Sequence, residues 1–576
     1  METLTIRHFP EEMEQLPVDP ENLNRVLLSG LFEEKAKTAE GERPFYTFIP
    51  ENLEYDQQCL VIAPPAQADI PEFLESSGLR QFAEEKQLFL FFLKAEDGKW
   101  DLSGKDAAYM NAVYVAAQAR DHYITMQDNF YALGFGNGAD VAHQAVMTSS
   151  SEWSGLLTVG DLSVDLSRKV LEAEKAGLGE NGELQIAAER SQVPVWMGVA
   201  RLEGSNAGTA AYWREQNHSQ EAPLSGDGAD YIWMPPYVHE LCDVNEETIA
   251  QVRVTEGQAA LTKAFLEKAW SYIGLARRHR GQGKKNLRYY KEPVALGGSR
   301  HTMELDGFRR TWYEYVPPCC TPDQVWPVVV LMHGRGGTAE TFFDISNVYQ
   351  VANARRFIAV VPQASVHQQK KKGLRNVLLW EGQLDGQGID DVKFIRKILE
   401  DLQSRVQVDR HRIYACGQSS GGMMTDTLGQ YASDLFAACV AWSGLNCPPM
   451  EYLHRQRLPY KMPTVILYGD QDNLFGGNDR VPGLPFPVST AFVPVVEERF
   501  AREGLDKNNV DTWQTYPITW YSYPNKQGIP MFVAGVVDHM VHANYPAESW
   551  ISYDQYMAKF TRGDNGELYY CGKLVE

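Results

Sequence analysis

The sequence predicts an α/β protein built as two consecutive domains, each a mostly parallel sheet with helices on both faces. Three observations carry this. The chain has 576 residues, more than one hydrophobic core usually serves. Short apolar runs alternate with amphipathic stretches, which is the grammar of strand, helix, strand. The alternation is run through twice in the same order, and each pass holds one glycine-caged turn, "LGFGNGADV" at 133–141 and "CGQSSGGMM" at 416–424.

From 325 onward, "WPVVVLMHG" and "RFIAVVPQ" read as buried strands. "DDVKFIRKILEDLQSRV" places Val392, Ile395, Ile398, Leu399 and Leu402 at helical spacing, with Asp390 or Asp391 positioned to cap its start. "RIYACG" is a strand, "GGMMTDTLGQYA" a helix, and "FAACVAWSG" and "PTVILYGD" two more strands. The first half answers each in turn. "CLVIAPP" stands for "VVVLMHG", "QLFLFFLKA" for "RFIAVVPQA", and "DAAYMNAVYVAAQARDHY" for the capped helix. "NFYALGFGNGADVAHQAV" then matches "RIYACGQSSGGMMTDTL", "EWSGLLTVGD" matches "LFAACVAWSG", and "VPVWMGVA" matches "MPTVILYG". Elements repeated in one order point to an internal duplication. A helix over "QAALTKAFLEKAWSYIGLA" closes the first unit, and the boundary falls in the glycine-interleaved basic run that follows. The expected domains are 1–285 and 286–576. The basic run itself, Arg277, Arg278, Arg280, Lys284, Lys285, Arg288 and Lys291, reads as a solvated linker.

Composition sets limits on function. The net charge of −21 argues against nucleic acid and anionic membrane surfaces as partners. The N-terminal "METLTIRHFPEEME" has neither a basic start nor an apolar stretch, and no run is long enough to span a bilayer. The eight cysteines show no Cys-x-x-Cys spacing, so free thiols in a cytoplasmic protein are expected, with neither metal nor organic cofactor.

Gly417-Gln418-Ser419-Ser420-Gly421 supplies the chemistry. A nucleophilic serine on a strand-to-helix turn needs tiny residues two before and two after it, because the turn folds the chain onto its neighbours. That frame selects Ser419; Ser420 lies one place off and would point away. A serine hydroxyl needs a base, and the base needs an orienting acid. "YGDQD" after a buried strand offers Asp472, with Asp470 as the alternate acid. "VVDHMVHANYP" after the last strand offers His539 and His542. Backbone N–H groups for a developing oxyanion come from Ser420 and from "HGRGG", at Arg335 or Gly336.

Taken together, "VVVLMHGRGG", "DDVKFIRKILEDL", "VDRHRIYACGQSSGGMM", the Gly-x-x-Asp turn and the late "HANYP" resemble the polyhydroxybutyrate depolymerase-type and feruloyl or acetylxylan esterases of the α/β-hydrolase superfamily. The resemblance covers roughly 300–562. It implies tandem α/β-hydrolase-like domains, the first degenerate, and metal-free ester hydrolysis through Ser419, Asp472 and His542. It favours His542 over His539, because relatives carry the histidine in a comparable turn. Arg335 departs from the small residue or cysteine of many relatives, which bears on acyl specificity.

In the first half the elbow reads Gly134-Phe135-Gly136-Asn137-Gly138, with glycine at the nucleophile position. Glu203 is the nearest candidate acid, and Gln258 stands near the place of the base. The expectation is one live site and one dead one: a serine carboxylic-ester hydrolase acting through an acyl-enzyme on soluble feruloyl, acetyl or short hydroxyalkanoate esters. The alternatives are a serine peptidase of the oligopeptidase kind, or a noncatalytic binding protein. Phe475, Phe486, Trp513, Trp520 and Tyr521, between acid and base, would form either an acyl pocket wall or plain core.

Overall fold

The structure is a computed structural model. It describes residues 4–9, 19–118, 123, 125, 129–164, 166, 191–235, 246–281, 284–369, 375–380, 389–445, 457–476, 483–545 and 547–576. The first half supplies β1 (Ile6–His8), β2 (Gly30–Thr38), β3 (Gly41–Ile49), β4 (Cys59–Ala63), β5 (Phe89–Leu93) and β6 (Phe130–Phe135). It continues with β7 (Gly155–Val159), β8 (Val195–Gly198), β9 (Leu224–Gly226), β10 (Ala229–Trp233) and β11 (Val252–Thr255). A hairpin of β12 (Ala276–Gly281) and β13 (Lys284–Tyr289) follows.

The second half holds β14 (Ser299–Leu305), β15 (Phe308–Tyr315), β16 (Trp326–Met332) and β17 (Ile358–Pro362). Next come a second hairpin, β18 (Ser365–Gln369) with β19 (Arg375–Leu379), then β20 (Val408–Gln418), β21 (Ala438–Trp442) and β22 (Thr464–Gly469). The sheet is completed by β23 (Asp511–Thr515), β24 (Ile518–Pro524) and β25 (Pro530–Val537).

Among the described residues the two large sheets share one topology. The first runs β1-β2-β3-β5-β4-β6-β7-β8-β11-β10-β9, the second β14-β15-β17-β16-β20-β21-β22-β25-β24-β23. Without the edge strand β1, each position in one order has its counterpart in the other. The centre of each sheet is parallel and its flanking hairpins antiparallel. The alternation of apolar runs announced the central strands, which are buried on both faces. The flanking hairpins, such as β9–β10 and β23–β24, were not expected, because their outer strands are exposed throughout and give no continuous apolar run.

Helices cover both faces. Asp391–Arg405 starts at Asp390, whose carboxylate accepts from Lys393 N–H, and buries Val392, Phe394, Ile395, Ile398, Leu399 and Leu402. Full burial of such side chains contributes about 1.5–3 kcal/mol each before entropy is counted. The helix Lys263–Ile273 is capped by Thr262 and closes the first sheet with Phe265, Leu266, Ala269 and Ile273. No described helix is long and apolar enough to cross a membrane. The six described cysteines are free thiols: Cys59, Cys319, Cys320, Cys416, Cys439 and Cys571. Cys242 and Cys447 lie outside the described residues.

The basic run is not a solvated linker. It forms β12 and β13, and two of its arginines are buried between other elements. Arg278 donates to the carbonyls of Trp153 and Ser150, at 2.8 and 3.1 Å. Arg288, ten residues on, pairs with the buried Asp344 of the second half at 2.6 Å. Glycine spacing suggested flexibility, but neighbouring carbonyls and a carboxylate accept hydrogen bonds from the two buried guanidiniums.

Candidate active site

β20 runs into a tight turn at Ser419 and continues as the helix Ser420–Tyr431. The flanking glycines are required by contact. A Cβ on Gly417 would come within 2.6 Å of Gly421 O, and one on Gly421 within 2.1 Å of Met332 O. Ser419 adopts φ +55° and ψ −115°, a conformation that costs on the order of 1–3 kcal/mol and persists only where its surroundings hold it. The hold is partly a hydrogen bond from Ser419 N–H to Trp442 O at 2.8 Å.

The geometry joins three predicted residues. His542 Nε2 lies 2.8 Å from Ser419 Oγ, and His542 Nδ1 lies 2.9 Å from Asp472 Oδ2. Asp472 ends the turn after β22 and is 1% exposed, while its Oδ1 accepts from the N–H groups of Leu474 and Phe475. Burial pushes its carboxyl up, but the His542 imidazole and the two amides more than offset this and hold it below the usual range. An ionised, fixed carboxylate selects the tautomer in which Nδ1–H faces Asp472 and Nε2 faces the serine.

The alternates lie apart from this relay. Ser420 is buried and its Oγ accepts from Trp380 N–H at 3.4 Å, so it turns away from the cleft. Asp470 and His539 gather with Asp538 instead, their ligand atoms within 4.8 Å of one another, an arrangement that could hold a cation. Burial, then the neighbouring Asp538 charge, raises the Asp470 carboxyl.

The loop 333–337 follows β16 beside the elbow. Gly336 N–H is given to Leu378 O at 3.0 Å, which removes it as an oxyanion donor and leaves Arg335 as the loop residue proposed for that role. His333 fixes the loop base: its Nδ1 lies 2.8 Å from Gly334 O, and its Nε2 accepts from Ala364 N–H at 3.1 Å. Burial brings the His333 imidazole down to about 4, so it is neutral across the physiological range. Sequence reasoning missed this histidine's bonding and also Trp380, whose Nε1–H donates to His333 O at 2.8 Å. The "HG" dipeptide was the available signal for the first; nothing local marked the second.

Of the aromatic residues between acid and base, Phe475, Phe486 and Trp520 are buried in core clusters. Trp513 stacks on Trp520 from the edge hairpin, its face 41% exposed. The core reading therefore holds for Phe475, Phe486 and Trp520.

The first half keeps the turn without the groups. Gly136 has φ +55° and donates its N–H to Val159 O at 2.8 Å, as Ser419 does to Trp442 O. Register corrects two expectations. Gly198 pairs with Thr255 as Gly469 pairs with Val537. Counting on from these pairs, Arg201 stands where Asp472 stands and Ala260 where His542 stands. Glu203 is the residue before the helix Gly204–Gln216, and Gln258 packs against Gly198 as Met540 packs against Gly469. The buried His143 contacts Thr158 Oγ1 and accepts from Trp213 Nε1–H, and burial brings it down to about 3.

Comparison with known proteins falls on the second half. Residues 318–490 match the model of the dienelactone hydrolase family. A putative esterase, NocK, of Nocardia uniformis subsp. tsuyamanensis is 29% identical over 192 residues, which is 31% of this chain and 52% of that protein. Feruloyl esterase B of Thermothelomyces thermophilus is 31% identical over 133 residues, 23% of this chain and 43% of its own. A solved acetyl xylan esterase from Aspergillus awamori aligns over 45% of this chain and 99% of its own, with 15% identity and a TM-score of 0.32. The chain spans about half or less of the length of these curated relatives. Over part of its length the second half is thus similar to the dienelactone hydrolase family and to feruloyl and other esterases.

Proposed function

We propose that the protein is a serine carboxylic-ester hydrolase whose catalytic unit is 286–576, with 1–285 as a noncatalytic partner. The observation that carries the reading is the continuous relay from Asp472 Oδ2 through His542 to Ser419 Oγ, at 2.9 and 2.8 Å. Ser419 Oγ attacks the ester carbonyl carbon while His542 Nε2 takes its proton. The N–H groups of Ser420 and Arg335 receive the charge on the carbonyl oxygen. The C–O bond of the ester then breaks, His542 returns the proton to the departing alcohol, and the acyl group remains on Ser419. Water, deprotonated by the same imidazole, releases the acid and restores the serine. No step needs a cation or an organic cofactor.

The substrate class is soluble esters with feruloyl, acetyl or short hydroxyalkanoate acyl groups. The names of the matched relatives support the first two. A cytoplasmic setting suits the free thiols.

The decisive experiment is fluorophosphonate labelling with peptide mapping, beside a panel of p-nitrophenyl esters and aminoacyl anilides. Labelling at Ser419 with ester turnover is expected. Turnover of anilides over esters supports a peptidase, and no labelling supports a binding protein. EDTA should leave the rate unchanged; a rate lost to EDTA and restored by zinc or calcium would transfer the chemistry to the Asp470, Asp538 and His539 cluster.

A further inference from the structure

The oxyanion loop belongs to the second half, but part of the support around it comes from the first. At one end, Thr338 caps the helix Ala339–Ile345 directly after the loop. Its Oγ1 lies 3.4 Å from Asp56 Oδ2 and 3.1 Å from Thr341 Oγ1, and Thr341 Oγ1 donates to the same Asp56 oxygen at 2.9 Å. Asp56 lies in the turn before β4, is 4% exposed and sits at φ +63°. Its other oxygen and its carbonyl both accept from Asn129 Nδ2, at 3.1 and 3.0 Å, so its direction is fixed from within the first half.

At the other end, the loop is tied to the hairpin β18–β19. Leu378 O accepts from Gly336 N–H. Yet Leu378 and Val366 of that hairpin are buried in a core cluster otherwise built from first-half residues such as Val26, Phe91 and Trp153. Trp380, next after the hairpin, reaches both walls of the site, His333 O through Nε1–H and Ser420 Oγ through its backbone N–H.

We propose that Asp56 is a positioning residue for the oxyanion loop across the two halves, and that the degenerate half serves as the buttress of the live site. The proposal rests on the hydrolase reading above. Its physical content is that backbone donors stabilise a transition state only when fixed at hydrogen-bond distance from the incipient oxyanion, and a glycine-rich loop cannot fix itself. Residues of one chain thus divide the task, the second half supplying the N–H groups and the first their direction.

The test compares Asp56→Ala, Asp56→Asn and Thr341→Val with Arg309→Ala. The last removes an exposed cross-half ion pair to Glu21, a contact with no bond to the loop. Each variant is measured for p-nitrophenyl acetate kinetics, affinity for a trifluoromethyl ketone that mimics the oxyanion, and hydrogen exchange over 333–341. Loss of one whole oxyanion donor costs roughly 100–1,000-fold in kcat, so a loosened loop should cost about tenfold. Asp56→Ala and Thr341→Val are expected to lower kcat by that factor with KM within about twofold, to weaken the ketone equally, and to speed exchange of the loop amides.

Asp56→Asn keeps one acceptor for Thr341 and should recover most of the rate. Arg309→Ala should match wild type. Unchanged kcat and exchange in folded Asp56→Ala would overturn the proposal, as would an equal loss in Arg309→Ala. Should Asp56→Ala fail to fold, Thr341→Val decides by the same criteria. If the wild-type protein takes no fluorophosphonate label, the hydrolase reading has failed, and the exchange measurements still decide whether Asp56 holds the loop.

Discussion

After β6, Gly136 stands at φ +55° with its N–H on Val159 O; after β20, Ser419 stands at φ +55° with its N–H on Trp442 O. The glycine cages match as well. A Cβ on Gly138 would come 2.2 Å from Ala63 O, and one on Gly421 2.1 Å from Met332 O. The three positions equivalent by register count differ: Gly136, Arg201 and Ala260 in one half, Ser419, Asp472 and His542 in the other. Packing demands the cage whether or not a reaction occurs, because the helix after the turn approaches the backbone of the neighbouring strand. Nothing in packing demands a nucleophile, an acid or a base. In the first half Ala66 N–H, at the register position of Arg335, donates to Asn137 Oδ1 at 2.9 Å.

The largest effect that would break the comparison concerns the relay. Ser419→Ala and His542→Ala should each lower kcat by roughly four to six orders of magnitude, since members of such a unit fail together. Ser420→Ala and His539→Ala should keep most of the activity. Full loss in His539→Ala, with activity retained in His542→Ala, would move the base by three residues.

Asp472→Asn comes next, at about 10,000-fold in kcat, because the amide admits the wrong imidazole tautomer. A larger loss in Asp470→Asn would reassign the acid.

Restoring chemistry to the silent half sharpens the contrast. Gly136→Ser should fold, since its Cβ would meet Pro65 Cγ at 3.4 Å, an ordinary contact, and Ser419 already tolerates the same φ. It should yield no second labelled peptide with fluorophosphonate. Adding Arg201→Asp, Ala260→His and Asn137→Ser supplies the missing groups and frees the Ala66 amide, so a second labelled serine is expected only in that combination. A label on Gly136→Ser alone would reveal a base elsewhere in the first half.

The smallest effect is on stability. Glu548 is 2% exposed, and burial, partly offset by Tyr545 N–H and Asn544, raises its carboxyl to about 8. The folded protein therefore keeps a proton that the unfolded chain releases above about 4.3. Its contribution to stability is greatest below that pH, falls as pH rises toward 8, and is level beyond. Glu548→Gln removes the dependence, so its unfolding free energy should rise relative to wild type across this window, by roughly a few kcal/mol at pH 8. A constant difference from pH 5 to 8 in paired denaturation curves would show that Glu548 titrates normally.

Periodicity and small-residue spacing determined a good deal here by themselves. Runs such as "VVVLM" and "CLVIA" are short and apolar on both faces, and their alternation with amphipathic helical stretches is the pattern of strands buried in a parallel sheet, so the central strands and their repeated order were legible. The elbow was legible because its glycines answer to a local steric need. The tertiary structure alone decided whatever depends on distant partners. It brought Asp472 and His542, rather than Asp470 and His539, into hydrogen-bond distance in line with Ser419, although the members of each pair lie two or three residues apart and carry the same chemistry. Its strand register, counted on from Gly198 and Thr255, puts Arg201 and Ala260 at the places of Asp472 and His542. It also turned a glycine-rich basic run into a docked hairpin and brought Asp56 to a loop nearly three hundred residues away. A sequence records which groups are available, but a hydrogen bond between halves exists only once both sheets have closed and their surfaces meet.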